Sequence, residues 1–372
     1  MYKIPLIKPY LPDTIRDAVF TVLESGYLTE GSVTKEFENS VRRFIECGYC
    51  LAVTSATVGL EIALRAIGVS SGDEVIVPDY TYPATAAVAP IIGARSVIVD
   101  INRKTMNIDY DKIENAITDK TKAIIPVSLF GNPLNYERLS EIKKKYKVFI
   151  IEDAACSLGA DYKGKRVGNF SDITVFSCHP RKFITTGEGG IVTTDNTELA
   201  EWMNSYKHFG MNLNPAERGN IDFEIIGTNY KLSNILAAIG LEQIKIVDDL
   251  LAQRRAFAKN YIELLHDIPG ITLPEVTEHG IHSYQTFSVF VANRNEIMRK
   301  MRELGIEVQI GTYSLHMHKA FNSDNKKIRL HGNFENSKFA FNHCLALPMY
   351  HEMTESEQQS VVKELIASIK SL

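Results

Sequence analysis

The chain has 372 residues, of which 45% are hydrophobic and 23% charged, which places it among globular rather than disordered proteins and allows more than one buried core. Its net charge of −4, from 41 basic and 45 acidic residues, gives no reason to expect nucleic acid or a membrane surface as partner. The amino terminus lacks the apolar core of a signal peptide and no run is long enough to span a bilayer, so the expected location is the cytoplasm.

In chain order, a helix is expected over about residues 33–46, ending near Gly48 as its cap, and a strand follows at Leu51–Val53. The next helix carries Leu60, Ala63, Leu64 and Ile67 on one face, the spacing of a buried stripe. Strands at Glu74–Val77, Ser96–Asp100, Ala123–Val127 and Val148–Glu152 alternate with helices at Ala84–Ile92, Lys112–Ile117 and Glu137–Lys145. Two more strands read at Ile173–Cys178 and Ile191–Thr194. Short apolar strands interleaved with helices predict an α/β fold with a mostly parallel central sheet covered on both faces. From Leu232 to about His266 the pattern is one long helix or two. After Pro269-Gly270 come a strand (Ser283–Val291), a helix (Asn295–Leu304), a strand (Glu307–Ile310) and a terminal helix (Glu355–Ile369), which predict a small α+β unit. The expected division is a large domain over 1–245, with an amino-terminal segment over 1–32, and a small carboxy-terminal domain over 246–372.

Chemistry is expected beyond the carboxyl ends of the parallel strands. Asp153 ends one apolar strand, and Ser177 ends another just before Lys182 and the glycine-rich Thr186-Gly187-Glu188-Gly189-Gly190. A lysine able to form a Schiff base, preceded by a strand-end carboxylate able to pair a ring nitrogen, is a signature of pyridoxal 5′-phosphate (PLP), which acts as an electron sink only while its pyridinium stays protonated. Thr54-Ser55-Ala56-Thr57 leads from a strand straight into a helix, whose free N–H groups and positive dipole end suit a phosphate, although Ser and Thr are also ordinary caps. Tyr80 and Tyr82 lie after another strand and offer an aromatic face. Five cysteines form no disulfide framework. Cys47-Gly48-Tyr49-Cys50 has no second pair to complete a zinc site, and His316, His318, His331, His343 and His351 lack ligand spacing, so no metal is expected. A nicotinamide dehydrogenase would suit the same alternation but needs a G-x-G-x-x-G opening the first helix, which is absent.

The ordered segments Ser25–Gly31, Ser55-Ala56-Thr57, Val77-Pro78 to Tyr82, Phe130-Gly131-Asn132-Pro133, Glu152–Ala155, Ser177–Gly190, Gly227–Lys231 with Ala237–Gly240, and Leu347-Pro348 to Met353-Thr354 cover nearly the whole chain. Together they resemble the DegT/DnrJ/EryC1/StrS group of PLP-dependent sugar aminotransferases. The resemblance implies the fold type I of PLP-dependent transferases. It implies that Lys182 holds PLP covalently and shuttles the proton, and that Asp153 pairs with the pyridinium nitrogen. Tyr82 would stack on the ring, and Ala56, Thr57 and Ser177 would hold the phosphate. Asn229 would reach the phosphate of a second subunit, so a homodimer with active sites at its interface is expected. Thr29, Lys231, Tyr313 and His316 are the implied acceptor contacts. L-glutamate is the implied donor, and the implied acceptor is a nucleotide-linked keto-deoxy sugar for a surface polysaccharide or glycolipid. A small phosphorylated ketone is an alternative acceptor, and a PLP-bound regulatory protein a further alternative. Three positions depart from the family pattern: Ala56 for a glycine, Cys156 for the usual Gln or His after Asp-Ala-Ala, and Ser128 for a frequent histidine. Related dehydratases carry histidine in place of the lysine, so Lys182 points to transamination.

Overall fold

The structure is a computed structural model that describes residues 2–211 and 221–372. Its centre is an eight-stranded sheet of β1 (Tyr49–Val53), β2 (Glu74–Pro78), β3 (Arg95–Val99), β4 (Thr121–Ile124), β5 (Phe149–Asp153), β6 (Ile173–Ser177), β7 (Gly190–Thr194) and β8 (Ile328–His331), in the spatial order β1-β7-β6-β5-β4-β2-β3-β8. All neighbours are parallel except β7, which runs antiparallel to both β1 and β6. The expected mostly parallel sheet is therefore present, and each of its first seven strands lies within a few residues of its predicted place.

Two apolar clusters lie on the two faces of this sheet. One gathers Phe37, Val41, Ile76, Val97, Ile124, Ile150 and Phe176. The other gathers Leu60, Ala63, Leu64, Val75, Ile98, Ile151 and Val175. Neighbouring residues of one strand, such as Ile150 and Ile151, thus point to opposite sides and both are buried, as a sheet covered by helices on both faces requires. Burying a side chain of this size contributes roughly 1.5–3 kcal/mol, so these layers fix the sheet and with it the strand ends that carry the site.

Two helices, Asn234–Ile244 and Val247–Leu265, resolve the long helical pattern, with a break at Lys245-Ile246. The second leads into a four-stranded sheet built on Phe287–Val291 and Cys344–Leu347, packed with Ile297, Met301, Val361 and Leu365. From this small sheet the chain crosses back: Tyr313-Ser314 pairs with Tyr80-Thr81, and β8 completes the large sheet beside β3.

The structure corrects one local expectation. The helix Ser32–Ile45 ends in left-handed geometry at Glu46 (φ 65°), and Gly48 is not its cap. Gly48 instead lies close against Asp195, whose carboxylate accepts its N–H at 2.7 Å and would stand 3.1 Å from a Cβ there.

Candidate active site

The carboxyl ends of β1, β2, β5 and β6 converge, and each supplies one part of the site. β5 delivers Asp153, which is 6% exposed. Thr85, on the helix Pro83–Ile91, donates its hydroxyl to Asp153 Oδ2 at 2.7 Å, and the Ala155 N–H donates to Oδ1 at 3.2 Å. Burial raises the Asp153 carboxyl above its ordinary value, opposed by these two donors and by the charge of Lys182. Among the described residues no cation forms an ion pair with it. A buried carboxylate held only by neutral donors has the chemistry to accept a cationic N–H.

Lys182 stands five residues beyond β6 in an irregular loop. Side chains from distant parts of the chain hold that loop. Gln285 accepts from the Phe183 N–H at 2.9 Å and donates to the Arg181 carbonyl at 2.7 Å, while Gln243 accepts from the Thr185 N–H at 3.0 Å. The Lys182 Nζ itself donates to Cys156 Sγ at 3.0 Å.

β1 ends at Val53, and the helix Ala56–Ala66 begins three residues later with Ser55 as its cap. Ser55 Oγ accepts from the Val58 N–H at 3.3 Å, while Ala56 and Thr57, as the first two helical residues, turn their N–H groups outward. Gly190 lies against this turn so closely that a Cβ there would come within 2.6 Å of the Ala56 nitrogen. Gly190 pairs with Ser177 across the β7–β6 ladder, so the glycine brings Ser177 beside the helix start. The result is an anion cradle of backbone N–H groups and hydroxyls.

Tyr82 caps the helix that bears Thr85 and is 65% exposed, an unusually open position for an aromatic ring next to a buried acid. Its ring lies 6.3 Å from that of Tyr313. His316 is fixed by Asp79 at the end of β2: its Nδ1 lies 2.7 Å from Asp79 Oδ2 and its N–H donates to Oδ1 at 2.7 Å. Tyr313 thus sits beside Tyr82, while the His316 ring stacks on Phe334, 4.6 Å between centroids. Lys231 bridges to Val53, and the Thr54 N–H donates to the Tyr230 carbonyl, so the Asn229–Lys231 segment runs alongside the cradle. Asn229 is exposed within the protomer. Thr29 lies on an exposed turn fastened by Glu30, which pairs with the fully buried Lys207 at 2.9 Å, and by Asn234.

Of the positions that depart from the family pattern, Ser128 is fully buried and its N–H donates to the Asp153 carbonyl at 3.2 Å, so it supports the acid from below. Cys47 and Cys50 are buried with their thiols pushed up, the first to about 11. The residues that sequence reasoning did not single out are Thr85, Asp79, Gln285 and Gly190 in its packing role. Asp79 stood in the segment from Val77-Pro78 to Tyr82, where a polar residue at a strand end was the available signal, whereas Thr85 lies in the first turn of the helix that follows.

Residues 9–366 match the DegT/DnrJ/EryC1/StrS aminotransferase family. The chain belongs to this family. It is a PLP-dependent aminotransferase with the fold expected of one. It is 34% identical over 373 aligned residues to the uncharacterized protein MJ1066 of Methanocaldococcus jannaschii, with 96% of each chain covered. Among solved structures it is similar to PseC of Helicobacter pylori, an aminotransferase involved in the biosynthesis of pseudoaminic acid, at a TM-score of 0.92 and 26% identity, covering 99% of this chain and 100% of that one. It is also similar to Spr1654 of Streptococcus pneumoniae in its PLP-form, at a TM-score of 0.91 and 28% identity, covering 100% and 99%. The site fits the cofactor on its own terms: the buried carboxylate hydrogen-bonded by neutral donors, the cradle closed by Gly190 and the open tyrosine are the complements of a pyridinium, a phosphate and a flat ring.

Proposed function

We propose that this enzyme moves an amino group from L-glutamate to a ketone of a nucleotide-linked keto-deoxy sugar, as a homodimer with each site completed across the interface. The observation that carries this reading is the convergence of Lys182, Asp153 and the Ser55–Thr57 cradle at the carboxyl ends of the strands, in a family whose structural neighbour PseC is an aminotransferase involved in the biosynthesis of pseudoaminic acid. A surface polysaccharide or glycolipid is the proposed destination of the product.

The bound PLP supplies the electron sink that makes the donor's Cα–H acidic. Asp153, hydrogen-bonded by Thr85 and the Ala155 N–H, would keep the ring nitrogen protonated. The Ala56 and Thr57 N–H groups, with Thr57 and Ser177, would bind the phosphate. Tyr82 would cover one ring face. Lys182 would anchor the cofactor and, once its amine is free, take and return the proton. His316, oriented by Asp79, and Tyr313 would face the acceptor, with Lys231 offering a cation to its diphosphate. The exposed Asn229 would complete the phosphate site of the second subunit. A large domain over 1–245, which Tyr313-Ser314 and β8 rejoin from the carboxy-terminal part, and a small one built from the rest of 246–372 would enclose the acceptor between them.

The test is to load the purified protein with PLP and add L-glutamate. The reading expects the cofactor's absorption to convert to that of the pyridoxamine form with release of one 2-oxoglutarate, and a nucleotide-linked keto sugar to reverse the change. No conversion with glutamate, but conversion with another amino acid, would overturn the donor; reversal only by a small phosphorylated ketone would overturn the acceptor.

A further inference from the structure

Cys156 takes the place of the family's usual Gln or His, and the structure puts it against the amine on which the chemistry turns. The Lys182 Nζ donates to Cys156 Sγ at 3.0 Å, within the range of a sulfur-accepted hydrogen bond. The position of the thiol is set from behind. Ser283 Oγ donates to the Cys156 carbonyl at 3.2 Å, and Gly131 passes so near that a Cβ on it would lie 3.1 Å from the same oxygen. Gly131 has φ 103°, a conformation that glycine adopts readily, so this close approach is built into the backbone. Asp153, three residues before Cys156 at the end of β5, is the buried acid of the candidate site, so amine, thiol and acid lie close together. The remaining cysteines, at 47, 50, 178 and 344, are all buried, and burial pushes each of their thiols up. Cys156 alone among them is partly open.

We propose that Cys156 is a positioning residue for Lys182, its sulfur holding the free amine over the reacting centre during proton transfer. The proposal rests on the assignment of Lys182 under the proposed function. A glutamine or histidine there can reach outward to a ring substituent, whereas the short thiol stays beside the lysine. Losing one such hydrogen bond reduces the rate of the glutamate half-reaction by about three- to tenfold, since the amine then samples other rotamers. Because the sulfur touches the lysine and not the amino donor, the apparent affinity for glutamate stays unchanged.

The contact is measurable without the cofactor. o-Phthalaldehyde condenses with one amine and one thiol, losing two waters, to give a fluorescent isoindole only where the two groups are neighbours. The cofactor-free protein is expected to form one isoindole linking Lys182 and Cys156, identified by peptide mass, and to lose it in Cys156→Ser and in Lys182→Met. In the loaded enzyme, Cys156→Ala is expected to slow the half-reaction with no change in glutamate affinity or melting temperature, and Cys156→Ser to restore most of the rate. An isoindole absent from the wild-type protein, or one that persists in Cys156→Ser, overturns the contact. Equal half-reaction rates for wild type and Cys156→Ala overturn the positioning role. Either result leaves the assignment of Lys182 standing if borohydride still fixes PLP to it; loss of that label overturns the assignment itself.

Discussion

Replacing Thr85 with valine removes one hydroxyl while keeping the shape of the side chain, and that hydroxyl makes the shortest hydrogen bond to Asp153, the acid proposed to pair with the cofactor. It lies 2.7 Å from Asp153 Oδ2, with Thr81 Oγ1 2.9 Å behind it. A hydrogen bond to a charged acceptor contributes roughly 1.5–3 kcal/mol. Asp153 needs this support because its burial already raises its carboxyl above the ordinary range. Without the donor the carboxyl rises further, and an acid must be ionised to pair with a pyridinium. Thr85→Val should therefore weaken PLP binding by roughly tenfold to a hundredfold near neutral pH. The sign of the pH effect follows. Cofactor affinity is lost as pH falls through the Asp153 value, and raising that value moves the loss to higher pH. The assay is equilibrium binding of PLP to the cofactor-free protein, followed by absorbance from pH 5 to 9, with the melting temperature as control. An affinity within twofold of wild type, or an acid limb that stays in place, would refute the role given to Thr85.

Two further perturbations test the buried charges. Glu152, next in sequence but on the opposite face, accepts from Tyr136 at 2.8 Å and is pushed up to about 7 by burial. A carboxyl raised in the folded state keeps its proton longer there than in the unfolded chain, so stability falls as pH rises from the ordinary value of 4.5 to about 7 and is level above it. Glu152→Gln should remove about 3 kcal/mol of that pH dependence in denaturant unfolding, and an unaltered slope would contradict it. Lys207, fully buried, lies 2.9 Å from Glu30 and 3.2 Å from Glu38 and donates to the Ala52 carbonyl at 3.0 Å. Lys207→Met leaves two carboxylates facing each other and should destabilise the fold by roughly 3–5 kcal/mol; a loss under about 1 kcal/mol would show that the pair relaxes into water.

The apolar runs made the sheet legible: Val75-Ile76-Val77, Ile150-Ile151 and Val175-Phe176 are buried on both faces, so their hydrophobicity is continuous and their ends are sharp. The strand ends are where ligands sit in such sheets, which is why Asp153, Ser177 and the Ser55–Thr57 turn stood out as candidates. β8 could not. Its four residues follow Lys326-Lys327 and precede Gly332, three of them only half-buried, and its partner β3 lies far away in sequence. Its existence depends on a crossing from the small sheet that no local pattern announces. The same holds for the Asp79–His316 pair and for Gln285 under the lysine loop, where each partner alone looks like an ordinary polar residue. Gly48 drew the expected helix cap because glycine is the commoner left-handed residue, whereas Glu46 takes that geometry and Gly48 packs against Asp195. Sequence thus shows which residues the strand ends present, and folding decides which distant side chains hold them.

The central claim is that Lys182 is the residue that holds the cofactor above Asp153. It is tested most directly by loading the protein with PLP, reducing with borohydride and locating the label by peptide mass spectrometry. The account predicts a single pyridoxyl group on the peptide containing Lys182, and none on Lys182→Met. A label on any other lysine, or no label on a protein that binds PLP tightly, would contradict it.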